Sequence, residues 1–104
     1  MYNKAYIVTL EKGLLLDVFP DKNFHNQITT TEGVLNWWHY IDNVYLLIVN
    51  ANITATSLSK YIMEIAPKRQ FFVVEVDLTN HNGILPQEAW NWINNHNQLN
   101  NQAY

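Results

Sequence analysis

Apolar side chains fall in short runs separated by polar turns from residue 5 onward. Ala5 to Leu10 (AYIVTL) is rich in β-branched and aromatic residues, which predicts a first strand. Glu11-Lys12-Gly13 is a turn signal. Leu14 to Phe19 (LLLDVF) suits either the second arm of a hairpin or the entry to a helix, and Pro20 ends it. Beyond Asp21, Phe24 and Ile28 recur four positions apart, as on one side of a short helix, and Thr29-Thr30-Thr31 favours its end.

Val34 to Ile41 (VLNWWHYI) and Val44 to Asn50 (VYLLIVN) predict two strands. Asp42 and Asn43 between them tolerate positive φ, which predicts a tight antiparallel hairpin. Val44 to Val49 is apolar at consecutive positions, the pattern of a central strand covered on both sides. Thr54 to Ala66 carries Leu58, Tyr61, Ile62 and Ile65 on one helical stripe, with Thr54 or Thr56 as N-cap and Pro67 as terminator. Phe71 to Leu78 (FFVVEVDL) predicts the last strand. Asn80-His81-Asn82-Gly83 is a loop, and Pro86 with Glu88 opens a final helix running to about Asn95. The polar tail from about residue 96 is expected to fray.

With a helix in the open segment, the order is βαββαβ. The expected fold is therefore α+β and ferredoxin-like: one antiparallel sheet with helices on one face plus a C-terminal helix. The other face would need cover, and with Trp37, Trp38 and Tyr40 nearby it is expected to form a dimer surface.

The length of 104 residues is one domain's worth, with no internal repeat or linker, and an apolar share of 48% is enough for a core. Only 14% of residues are charged, so neutral polar groups, asparagine above all, finish the surface. Six basic residues and a net charge of −3 give no broad phosphate-binding surface, which disfavours non-specific nucleic-acid binding by a monomer. The chain has no cysteine, which removes disulfides, thiolate metal sites and a cysteine nucleophile together. With no visible signal peptide and no apolar run of spanning length, a soluble cytoplasmic protein is expected, with no membrane partner.

Three segments taken together carry a family resemblance. They are Tyr6-Ile7-Val8-Thr9, then Trp37-Trp38-His39-Tyr40-Ile41-Asp42 leading into Val44 to Val49, and Leu85-Pro86-Gln87-Glu88-Ala89-Trp90-Asn91-Trp92. They resemble small bacterial and phage proteins described as SinR-like, similar in fold to the smaller subunit of the CRISPR adaptation complex. The likeness spans roughly Ala5 to Ile93 apart from Lys12 to Thr31, and the WWHYID run is its most specific part. It implies a ferredoxin-like domain that dimerises through its sheet. Some members cleave RNA or DNA with a metal held by an aspartate just after the first strand, while many act as structural parts. The matching position here is Glu11, and Leu10-Glu11 replaces the usual tyrosine–aspartate pair.

Glu11 at a strand end is thus the candidate ligand for Mg²⁺ or Mn²⁺ in an endonuclease reading, against a solvent-facing turn residue as the commoner role. His25, His39, His81 and His96 show no metal-ligand spacing. His39 suits a structural role in an aromatic strand, and His81 sits in a loop where it could meet a ligand or pair with Asp77 or Glu75. Trp37 and Trp38 are adjacent and must point to opposite sheet faces, so at most one joins a base-stacking platform. Trp90 and Trp92 are two apart on a helix; one is expected to anchor it and the other to meet a partner.

These readings favour a non-catalytic interaction protein, homodimeric, that binds a protein or ribonucleoprotein through Trp37, Trp38, Tyr40, His81 and Trp92. RNA contact is possible and no cofactor is required. Its narrowest form is a phage or mobile-element inhibitor of a CRISPR-type defence nuclease. The alternative is the metal-dependent endonuclease built on Glu11.

Overall fold

The computed structural model describes residues 3–11 and 24–96. Four strands, β1 (Lys4–Leu10), β2 (Val34–Ile41), β3 (Val44–Val49) and β4 (Phe71–Val76), form one sheet in the order β2-β3-β1-β4. Every neighbouring pair is antiparallel. Residues 24–28 belong to helix α1, followed later by α2 (Ala55–Ile65) and α3 (Gln87–His96). The strands and helices expected beyond residue 33 all form, within two residues of their expected ends. The hairpin-or-helix stretch from Leu14 to Phe19 and the helix start at Asp21 lie outside the described residues.

The β2–β3 turn follows from its two residues. Asn43 takes φ 66°, where its short polar side chain lowers the usual steric penalty. At the other end of the hairpin Gly33 takes φ 92°, and its carbonyl accepts the Asn50 N–H at 2.9 Å. A Cβ there would stand 2.8 Å from Ile53 Cδ1, so the position needs glycine for both backbone and space. Of the two candidate caps for α2, Thr54 is the one used. Its hydroxyl accepts the Ser57 N–H at 3.1 Å while the Ser57 hydroxyl accepts the Thr54 N–H at 2.9 Å, a reciprocal capping box.

Strand alternation divides the core in two. Tyr6, Val8, Leu10, Tyr45, Leu47 and Val49 point to one face and pack against Phe24 and Ile28 of α1 and Leu58 and Ile62 of α2. Ala5, Trp38, Leu46 and Ile48 point to the opposite face and pack against Ala89 and Ile93 of α3 and Leu78. The helices are therefore not confined to one face. The C-terminal helix lies across the sheet from α1 and α2, because β3 is apolar on both sides and each side must be removed from water.

Candidate functional site: aromatic clusters on two sheet faces

The adjacent tryptophans of β2 divide between the faces, as alternation requires. Trp38 is 5% exposed and its Nε1 donates to the Ala89 carbonyl at 3.3 Å, so it holds α3 to the sheet. Its surface belongs to the domain's own core. Trp37, on the α1 side, is 40% exposed.

Trp37 stands edge-on to His25, with ring centroids 4.8 Å apart. His25 Nδ1 lies 2.7 Å from the Tyr45 hydroxyl, and His39 stacks flat on Tyr45 at 4.0 Å. His39 Nδ1 faces the Val44 carbonyl at 2.9 Å; a carbonyl only accepts, so Nδ1 carries a proton and donates it. Burial pushes the His25 imidazole below its ordinary value, and the nearby His39 adds to the effect. Sequence alone hints at this cluster only in that His39 shares the parity of Trp37, because it joins α1 to β2 and β3, with His25 and Tyr45 20 residues apart.

A second cluster lies where β2 meets α3. His96 Nδ1 donates to the Trp92 carbonyl at 2.7 Å, which leaves Nε2 to accept from the Asn36 amide at 3.1 Å. Trp92 is half-buried and stacks on His96 at 4.1 Å. Its Nε1 is buried with no hydrogen-bond partner among the described residues. Trp90 is also half-buried and stacks on His81 at 5.6 Å, so each of the two helix tryptophans packs within the domain on its own histidine. A shallow cavity of about 440 Å³ opens between Asn36, Trp37, Trp38, His39, Tyr40 and Trp92. The structure therefore brings four of the expected partner-binding residues to one sheet edge: Trp37, Trp38, Tyr40 and Trp92.

His81 stands apart from them. Its Nδ1 donates to the Leu78 carbonyl at 2.7 Å. Asp77, one of its two expected acid–base partners, instead accepts the Thr79 N–H at 2.9 Å, and that backbone hydrogen bond lowers the carboxyl's pKa.

Glu11 sits at the far end of β1 and is exposed. Its carboxylate accepts the Gln70 N–H at 3.1 Å, and its carbonyl accepts from Arg69 Nε at 2.9 Å and from Nη2 of the same guanidinium. These bonds close the β1–β4 ladder, beside a cavity of about 420 Å³ lined by Thr9, Glu11, Gln70 and Phe72. Among the described residues no three His, Cys, Asp or Glu side chains converge as a metal site would need. None of the described helices is long and apolar enough to cross a membrane.

The remaining feature is what α3 leaves bare. Strand register sets Phe72, Thr9, Val44 and Ile41 side by side across the α3 face, with Val74 and Ile7 in the next row. Phe72 is 63% exposed, Ile41 47% and Val74 36%, and Tyr40 beside them is also exposed. No charged side chain interrupts these two rows. No protein-family model, curated protein or solved structure matches the chain.

Proposed function

We propose that this chain is a cytoplasmic, ferredoxin-like interaction domain, dimeric, that binds a protein or ribonucleoprotein partner and catalyses no reaction. The observation that carries this reading is the bare half of the α3 face. A row from Phe72 to Ile41 leaves large apolar side chains in water on a sheet whose other half is closely covered. The strand order with all neighbours antiparallel supports the ferredoxin-like arrangement. The low charge supports a partner held by apolar and neutral polar contacts. In its narrowest form the chain inhibits a CRISPR-type defence nuclease by covering the effector's surface.

Two experiments test the reading. Ile41→Lys puts a charge at the β2 end of the bare row at an exposed position, so it should abolish partner capture and leave the fold intact. Incubation with labelled RNA and Mg²⁺ or Mn²⁺ should leave the RNA whole. Cleavage that disappears with EDTA and in Glu11→Gln would overturn the non-catalytic reading.

A further inference from the structure

The two edges of the sheet differ in a way that assigns them different roles. β2 is blunted. Its register slips between Val34 and Asn36 and again between Trp38 and Ile41. Trp37 lies opposite Leu47, which turns its backbone to β1, so the Trp37 N–H points out of the sheet; it is taken by the Asn36 side chain at 2.8 Å. Bulges and a capped N–H are the devices that keep an edge from pairing.

β4 has neither. Its register against β1 runs without interruption from Phe71 to Val76, it contains no proline or lysine, and no strand among the described residues pairs with its outer side. The Glu11 N–H donates to the Gln70 carbonyl at 2.8 Å, which fixes the ladder's phase. Counting from that pair, Phe72 and Val74 turn their backbone groups to β1, while Phe71, Val73 and Glu75 turn theirs outward.

We propose that β4 is the dimerisation edge: a second copy lays its own β4 antiparallel against it, with Val73 opposite Val73 of the partner subunit, joining the two sheets. The proposal rests on the dimeric part of the reading above and gives it a surface. A second copy fits because the strand is complementary to itself. A two-fold axis normal to the sheet keeps each face continuous, so outward residues pair only with outward residues. Centring the axis on Val73 is the register that pairs all three within β4, each pair exchanging two N–H···O bonds. On the α3 face the same register sets Phe72 opposite Val74 of the partner subunit, twice over, a favourable aromatic–β-branched pair. It therefore covers the most exposed aromatic of the bare row. Glu75, the strand's one charged residue, falls opposite Phe71 of the partner subunit. Its own mate is four residues along, about 13 Å away and beyond the screening length of about 8 Å in physiological salt.

The test uses the full chain, which is free of cysteine, so introduced thiols report without background. Light scattering on the wild type should give a dimer at micromolar concentration. Phe72→Cys and Val74→Cys proteins, mixed and oxidised, should cross-link to each other, because such a pair stands about 4.5 Å apart at Cα, within disulfide range. Neither alone should cross-link efficiently, since like residues are then diagonal neighbours about 7–8 Å apart. Val73→Pro removes an outward N–H and leaves the bonds to β1, so it should yield a monomer. Should it also unfold, Phe72→Lys at a well-exposed position serves instead and should weaken dimerisation about tenfold or more. A monomeric wild type overturns both the dimeric reading and this assignment. A dimer that gives no mixed cross-link and survives Val73→Pro or Phe72→Lys overturns the β4 edge alone.

Discussion

Replacing each of the two adjacent tryptophans of β2 in turn should give opposite results. Trp38 is 5% exposed, so nearly its whole side chain is removed from water on folding. A side chain that buries about 200 Å² at about 25 cal/mol per Å² accounts for roughly 5 kcal/mol as an upper estimate, and large aromatic-to-alanine changes in cores cost about 3–5 kcal/mol. Trp38→Ala should therefore destabilise the domain by about 3–5 kcal/mol, which for a domain of this size lowers Tm by roughly 12 °C or more. Trp38→Phe keeps an aromatic ring and loses the 3.3 Å hydrogen bond to the Ala89 carbonyl, so about 1–2 kcal/mol is expected. Trp37 retains only edge contact with His25 and considerable exposure, so Trp37→Ala should cost about 1 kcal/mol or less. Urea unfolding followed by circular dichroism reads all three, provided m is unchanged. A Trp38→Ala protein within about 1 kcal/mol of wild type would refute the docking of α3 on the sheet, and with it the claim that only half of that face is bare.

Gly33→Ala should cost about 1–2 kcal/mol, because the residue must hold φ 92° and its Cβ meets Ile53 at 2.8 Å; an unchanged melting temperature would contradict this. His25 has a folded pKa below its ordinary 6.5, so as pH falls through 6.5 the unfolded chain takes up a proton that the native domain refuses. Stability is then lost progressively until the folded value is passed, with a slope of at most about 1.4 kcal/mol per pH unit, and His25→Gln should remove that part of the slope in unfolding titrations. Thr54→Ala deletes the acceptor for the Ser57 N–H and should cost about 0.5–2 kcal/mol in equilibrium unfolding, whereas Thr56→Ala should cost less.

Much of the fold was legible because local signals agreed. β2 and β3 were bounded by the Asp42-Asn43 turn, α2 by Thr54 and Pro67, and α3 by Pro86. The side on which α3 packs was left open. The apolar run from Val44 to Val49 already required cover on both faces, and Ala89, Trp92 and Ile93 fall on one helical stripe that could supply it. Sequence spacing marks such a stripe without saying which sheet face receives it. The site was legible as residue types and not as groupings. Trp37 and Trp38 were separated correctly by parity. The His25–His39–Tyr45 cluster depends on where α1 lands, and the bare row depends on how far α3 reaches, neither of which is a local property. Glu11 was placed correctly at the strand end, but its bond to Gln70 required knowledge of the β1–β4 register.

Partner capture by surface-specific variants tests the central claim most directly. Tagged wild type, Ile41→Lys on the bare row and Met63→Lys on the exposed outer side of α2 should be compared in the same lysate, with proteins and nucleic acids in each eluate quantified. Wild type and Met63→Lys should retain the same stoichiometric protein or ribonucleoprotein, and Ile41→Lys should lose it while unfolding like the wild type. Equal recovery by all three, or no partner beyond a second copy of the chain, would contradict the account.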